Sequence, residues 1–463
     1  MRNSVDILIS NGLIVTMDSE RRVVSNGYVA VSNGRIVDVG KGDGRDKYIA
    51  EEHIDARKSI VMPGLMCAHT HFYGLLLNGC PWLNKIEYPT DFIQKLQRVW
   101  WVLDNFITHE DAYVSALVGS MRFLRSGVTF FFDNISAPNS IDRILDSIEK
   151  AVLEIGIRGY LSFESTQRRS YEEGFKGLRE NERFIIKNNL DPDNLVKGAI
   201  FLHSCFTVSD DLLIEARRLA DKYNAIISIH VEEGLIDVYH NMERYGIRPI
   251  ERMYKLGFLN KDVILVHVVN TTTDELKIIS KTGSHVAHNP MSNMLNAVGV
   301  ARIPEMIELG INIGLGNDGY VFDQFENMRA AYLIHKLWYR DPRLITPLQV
   351  LEMSTVNTAK MFKVDNELAS IEIGKKADIL IIKPEHPSTP VNENTVYHHI
   401  VNYVNSRDVD TVIVNGNIVL KNKKIVRIDE EKAIEYATRV VEKLWDRLME
   451  KGVYKIDYYV DRK

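Results

Sequence analysis

Eight short apolar runs, each ending in a polar side chain, constrain this chain more than any other feature. They are residues 60–68 before His69, Val128–Phe132 before Asp133, Gly159–Phe163 before Glu164 and Lys197–Leu202 before His203. The second half adds Ala225–Ile229 before His230, Val263–Val266 before His267, Ser284–Ala287 before His288 and Ile311–Gly316 before Asn317-Asp318. Runs this short and apolar read as strands buried on both faces, as in a parallel sheet. Helical stretches separate them, among them Ser140–Leu153, Asp210–Tyr223 and Thr273–Lys281. Eight β-α units with chemistry at the strand ends describe an α/β chain closed into a (β/α)8 barrel of the TIM type, whose polar strand ends meet at one mouth. A doubly wound open sheet is the runner-up. It would gather its polar residues at a single switch point and carry a glycine fingerprint in the first βα turn, which is missing.

The two ends of the chain have a different texture. Val5–Ile9 and Leu13–Met17 flank Asn11-Gly12, and Tyr28–Val31 and Arg35–Val39 flank Asn33-Gly34. Asn-Gly between alternating strands signals a hairpin, because both central residues of the tight turn take positive φ. The pattern returns at Asp378–Ile382, Thr411–Val414, Asn415-Gly416 and Ile418–Leu420. Neither segment alone has strands enough to bury an apolar face. The expected organisation is a small β-sandwich-like domain from residues 1–57 and 366–428, with the barrel, residues 58–365, inserted between its halves. Residues 429–463 are expected to be a helix and tail, with Ile434, Val441, Trp445 and Leu448 at the spacing of a docking or dimer helix. The long first connection, residues 75–110, carries Trp82, Trp100 and Trp101. It reads either as a lid or substrate wall, or as a core helix with tryptophans on different faces.

A length of 463 residues suits a large barrel with a further unit, and 45% hydrophobic content leaves a sizeable core. A net charge of −5 without a basic cluster argues against nucleic-acid and anionic-membrane partners. No run approaches the ~18 apolar residues of a membrane span, and the N-terminus lacks a signal region. Cys67, Cys80 and Cys205 are odd in number and far apart, which fits a reducing, cytoplasmic setting. The expected partners are a small-molecule substrate and further copies of the chain, as a dimer or larger homo-oligomer.

His69 and His71 form a His-x-His at the end of the first run, where alternation sends both imidazoles to one face. His230 ends the fifth run and Asp318 follows the eighth. Three imidazoles and one carboxylate suit a single divalent ion, Zn2+ ahead of Fe2+, with a position left for water. Such an ion brings the pKa of bound water from ~15.7 to ~7. A two-metal barrel would need a bridging lysine or acid at the end of the fourth strand, where Phe201-Leu202-His203 stands instead. Glu233, three residues beyond His230, is spaced to reach over the pocket and protonate a substrate ring nitrogen, with Glu232 turned away. His267 would orient or polarise the attacking water, a structural role being the alternative. His203 would contact substrate or pack. The role of His288 stays open, and His109, His240, His335, His398 and His399 read as ordinary residues.

These residues resemble the amidohydrolase superfamily, in its branch of mononuclear metal-dependent aminohydrolases. That deaminase/chlorohydrolase branch includes methylthioadenosine/S-adenosylhomocysteine, guanine and cytosine deaminases and s-triazine hydrolases. The matching stretches are PGLMCAHTH (63–71), HSCFTVSD (203–210), HVEE (230–233), VHVV (266–269), VAHNPMSNM (286–294) and GLGNDG (314–319). GKKADILII (374–382) and VNGNIV (414–419) match the sheet domain, so the likeness spans almost the whole chain. Within the branch the chain is most similar to SsnA-type aminohydrolases, through HFYG (71–74), DFIQKLQRVWWVLD (91–104) and SGVTFFFDNISAPNSI (126–141). Asn317 stands where relatives carry threonine, and Thr70 where the nearest group carries asparagine; neither is a ligand position.

The resemblance implies that His69, His71, His230 and Asp318 hold the metal. It makes Glu233, His267 and Asp318 the proton-transfer residues and His203 a substrate contact. The implied reaction is hydrolytic deamination of an amino-substituted nitrogen heterocycle, a purine, pyrimidine or relative, with release of ammonia. Hydrolysis of a cyclic amide, or of a halide or amine from an s-triazine, is the rival. Glu233 argues against it, since ring protonation serves an aromatic amidine best. A catalytically inactive, assembly-forming relative should have lost a ligand histidine, and none is missing. The Pro-Cys-x-x-Cys of zinc cytidine-type deaminases occurs nowhere.

Overall fold

In the computed structural model, which describes residues 2–452, the apolar runs become parallel strands paired in chain order. They are Leu65–Thr70, Val128–Ile135, Arg158–Ser165, Ile200–Ser204, Ile227–Val231, Val263–His267, His285–His288 and Ile313–Leu315. A bridge between Thr70 and Asp318 brings the eighth connection back to the first strand, so the (β/α)8 barrel is nearly closed. Alternation along the strands fills its interior. Met66, Ala68, Phe130, Phe132, Phe201, Ile264, Val266 and Ala287 share one buried cluster, plugged at the far end by Met361 and Phe362. Intervening residues such as Cys67, Phe131, Leu202, Ile229 and Leu265 face outward into the cluster that packs the helices.

Two runs read as single strands are each divided. Residues 197–202 break at Ala199 into Val196–Gly198 and Ile200–Ser204. Residues 60–68 break at Pro63-Gly64. Ile60–Pro63 pairs with Asn3–Val15 and Ile379–Ile382 in the other sheet, and only Leu65 onward joins the barrel. A continuous apolar run looks the same whether it serves one buried sheet or two. The crossing needs glycine, because a Cβ on Gly64 would lie 2.1 Å from Thr129 Oγ1.

The other sheet has nine strands drawn from both ends of the chain. Ile7, Ile9, Val29 and Val31 share a core with Ile379, Ile381 and Ile413. Asn33-Gly34 and Asn415-Gly416 are two-residue hairpin turns, with φ of 50° and 73° in the first and 50° and 75° in the second. The two tips meet through Ala377, which donates to Gly34 O and accepts from Gly416 N. Asn11-Gly12 is different. It is a register shift inside the single strand Asn3–Val15, not a hairpin, because strands on both sides keep that strand extended through it.

The helix Asp210–Tyr223 matches expectation, whereas Ile144–Ile155 starts later than Ser140, after a left-handed Arg143. The last helix, Glu430–Lys451, docks on His109–Arg125 of its own chain. It buries Ala437, Val440, Leu444 and Leu448, and Trp445 Nε1 donates to Leu76 O at 2.7 Å. Ile434 is exposed there. The tail beyond residue 452 lies outside the described residues. Among the described residues no helix is long and apolar enough to cross a membrane. The three cysteines are buried, unpaired thiols.

Candidate active site

The mouth of the barrel gathers His69, His71, His230 and Asp318 into one buried cluster. His230 Nε2 stands 3.2 Å from His69 Nε2 and 3.3 Å from His71 Nε2, and Asp318 Oδ1 lies 3.6 Å from His71 Nε2. Donors bound at about 2.0–2.1 Å around a tetrahedral ion sit about 3.3 Å apart, so this spacing fits a metal at the centre. Backbone carbonyls set two tautomers. His71 Nδ1 donates to Asn134 O and His230 Nδ1 to His203 O, each at 2.7 Å, which leaves both Nε2 lone pairs facing inward. Burial first, then neighbouring imidazoles, holds His69 and His230 well below the usual histidine range, so both stay neutral. Lone pairs converging this closely repel one another unless a cation stands between them.

Glu233, His267 and Asp318 form an overlapping group. His267 Nε2 lies 3.4 Å from Glu233 Oε2 and 3.7 Å from Asp318 Oδ2. That nitrogen is buried and has no hydrogen-bond partner among the described residues, a position suited to holding a water. Inward alternation on the sixth strand ends at Val266. A left-handed backbone at His267, φ 75°, accompanies the turn of its ring into the mouth, and Asp318 has φ 58°. Ser292 donates its hydroxyl proton to Asp318, and Asn296 Nδ2 donates to Glu233 Oε1 at 3.2 Å. Burial and then the charge of Asp318 push Glu233 well above the usual carboxylate range, which favours its protonated form. Glu232 turns to Arg248 at 3.1 Å, away from the cavity.

His203 lines the same cavity, its Nδ1 on Thr207 Oγ1 at 2.8 Å. His288 does not. The inward position on its strand is Ala287, and His288 meets His335 at 3.2 Å among the helices. The cavity walls also include Trp100 and Trp101 of the long connection, and Asp104, Glu164 and Tyr320, to which the sequence attached no role. Glu164 was visible as a strand end. Asp104 was not, since it arrives on the long connection. Of that connection's tryptophans, Trp82 is core, whereas Trp100 and Trp101 line the cavity.

The inner cavity is about 40 Å³, enough for about two or three waters. Beyond Phe92, Trp100 and Tyr320 it meets an outer cavity of about 790 Å³. Phe92 lies against Gly234, where a Cβ would come within 2.4 Å of its ring. The inner cavity as it stands is too small for a heterocycle.

Comparison with known proteins decides the family. The model of the Amidohydrolase family matches residues 60–419. The chain belongs to the amidohydrolase family. It is a hydrolase of carbon–nitrogen bonds within a family of metal-dependent enzymes. This amidohydrolase is 32% identical over 450 residues to a 5'-deoxyadenosine deaminase of Methanosarcina mazei, covering 96% of this chain and 99% of that one. It is 34% identical over 425 residues to a 5-methylthioadenosine/S-adenosylhomocysteine deaminase of Thermococcus kodakarensis, covering 90% and 94%. Among solved structures, an adenosine deaminase from Xanthomonas campestris with bound zinc superposes with a TM-score of 0.87 at 23% identity, covering 96% and 99%. A zinc-complexed atrazine chlorohydrolase from Arthrobacter aurescens gives 0.82 at 22% identity, covering 94% and 100%. At those identities the structural likeness speaks for the fold.

Proposed function

We propose that this amidohydrolase deaminates an adenine-type heterocycle by hydrolysis, using one divalent ion, with zinc the best fit to the donor set. The observation that carries the reading is Glu233, a buried carboxyl facing the same cavity as His71, His203, His230 and Asp318. His69, His71, His230 and Asp318 are assigned as ligands. His230 would offer the ion its Nε2 alone, since its Nδ1 is committed to a carbonyl. Bound there, the ion supplies a water acidified to a pKa near ~7.

The protein's own groups then do the following. His267 Nε2 accepts a hydrogen bond from the attacking water, and Asp318 takes its first proton as the oxygen bonds to the amino-bearing carbon. Glu233 gives its proton to the adjacent ring nitrogen, so charge does not build on the ring. Asp318 passes the collected proton to the amino group, and the carbon–nitrogen bond breaks with loss of ammonia. The new hydroxyl gives up its proton as the carbonyl forms, which restores Glu233. His203 holds the substrate edge from the fourth strand. The curated relatives named as deaminases of 5'-deoxyadenosine and methylthioadenosine support an adenine nucleoside as substrate. Ammonia release from 5'-deoxyadenosine, methylthioadenosine and adenosine tests this. Activity should disappear on chelation and return with zinc; turnover of chloro-s-triazines with none of the nucleosides would favour the rival reaction.

A further inference from the structure

Glu233, His267 and Asp318 come from three different strand ends, yet one short stretch after the seventh strand holds all three. Its helix, Pro290–Leu295, is closed by Asn296. Asn293 Oδ1 accepts from His267 Nδ1 at 2.8 Å, and the Ser292 hydroxyl donates to Asp318 Oδ2. Asn296 Nδ2 donates to Glu233 Oε1 at 3.2 Å and to Ser292 Oγ, one helical turn back, at 3.3 Å. On its other side, Asn296 Oδ1 accepts the Tyr320 hydroxyl proton at 2.8 Å, and the Tyr320 oxygen accepts from Trp100 Nε1 at 2.8 Å. Trp100 is buried and wedged in place, since a Cβ on Gly74 or Gly319 would come within 2.8 or 2.5 Å of its ring.

Each direction in this chain is forced. An indole N–H only donates, so the Tyr320 oxygen accepts there and its one proton goes to Asn296. The amide oxygen must then face Tyr320, which turns both N–H groups toward Glu233 and Ser292. Ser292, accepting from Asn296, sends its own proton to the Asp318 carboxylate, which only accepts. Reversing a link would set two donors or two acceptors face to face. Both Asn296 N–H groups are committed, so this side chain acts on the reaction through the acids and not on the substrate. With Glu233 Oε1 taken as an acceptor, Oε2, 3.4 Å from His267 Nε2, is the oxygen that gives the proton. We propose that Asn296, fixed by the Trp100–Tyr320 donor chain, is a positioning residue that holds Glu233 directly and Asp318 through Ser292 for proton transfer. The inference rests on the deaminase reading for the roles of Glu233 and Asp318.

The test is a double-mutant cycle on turnover of an adenine nucleoside, with metal content measured on each protein. Asn296→Leu removes both donors at similar size, and Asn296→Asp keeps the shape but sets an oxygen against Glu233. Each should lower kcat by roughly 10- to 100-fold, the scale of a small misplacement of reacting groups, with KM and metal content near wild type. Tyr320→Phe keeps the ring but frees the amide to turn, and should lower kcat by about 3- to 10-fold. In the Asn296→Leu background it should cost nothing further, because Tyr320 acts through Asn296. A second readout needs no substrate. On protein carrying nitrogen-15 in its asparagine side chains, the signal that Asn296→Leu deletes is the Asn296 amide. Its protons should exchange with water faster in Tyr320→Phe than in wild type. Full kcat in both Asn296 variants, additive losses from Tyr320→Phe and Asn296→Leu, or unchanged amide exchange would overturn the proposal. Ammonia from no nucleoside, with exchange still accelerated in Tyr320→Phe, would count against the deaminase reading while supporting the chain.

Discussion

His267 Nδ1 donates to the side-chain oxygen of Asn293 at 2.8 Å, and that bond decides which nitrogen faces the acids. With the proton on Nδ1, Nε2 is an acceptor between Glu233 and Asp318. Removing the partner lets the imidazole take the other tautomer and swing. Asn293→Ala should therefore lower kcat by about 10- to 100-fold, the usual cost of losing a group that orients an active-site histidine, with metal content unchanged. Steady-state kinetics and metal analysis on one preparation check both halves.

Glu233→Gln keeps the size of the side chain and the Asn296 contact but cannot supply the proton. It should lose about 10²–10⁴-fold in kcat and keep the metal. Glu232→Gln should leave turnover near wild type and lower the unfolding midpoint, because Glu232 pairs with Arg248 behind the cavity. A crippled Glu232→Gln beside an active Glu233→Gln would reverse the two assignments.

His69→Ala and His230→Ala each remove a donor from a four-donor set and should abolish metal retention rather than slow turnover. Metal analysis should give one ion per wild-type chain and close to none in either variant. Two ions per wild-type chain would contradict the single-site reading.

Much of this was legible from the two periodicities, although the first barrel strand shifts register between Cys67 and Thr70, so that His69 and His71 share the parity of outward Cys67 and still face the mouth. An apolar run closed by a polar residue marks a barrel strand end, and the inward parity of Phe201 and His203, or of Ser228 and His230, follows from alternation alone. Parity also explains why His288, one residue past inward Ala287, faces the helices. His267 and Asp318 reach the mouth through left-handed backbone, which no periodicity announces. Asn11-Gly12 has the residues of a hairpin, yet its neighbours hold it in one long strand. Asp104 enters the cavity from a connection whose path depends on packing across the whole mouth.

Asp133, at the end of the second strand, offers a test of stability. Burial raises its carboxyl to about 7, although it accepts the Phe72 N–H at 2.8 Å. Its folded pKa thus lies above its unfolded one. The favourable contribution is complete below about 4 and is lost as pH rises toward 7, because between those values the folded state binds the extra proton. Asp133→Asn removes that titration. The wild-type minus variant difference in unfolding free energy should fall with pH by up to about 1.4 kcal/mol per unit across that window, measured by denaturant titration. A flat difference would mean the carboxyl is not held in its acid form.

The most direct test of hydrolytic deamination is to run turnover of an adenine nucleoside in oxygen-18 water and weigh the product. Attack by water on the amino-bearing carbon requires one ammonia released per heterocycle and one heavy oxygen at that carbon. Both should vanish together on chelation and in Glu233→Gln. Product formed without solvent oxygen at that carbon, or ammonia release unaffected by removing the metal, would contradict the mechanism.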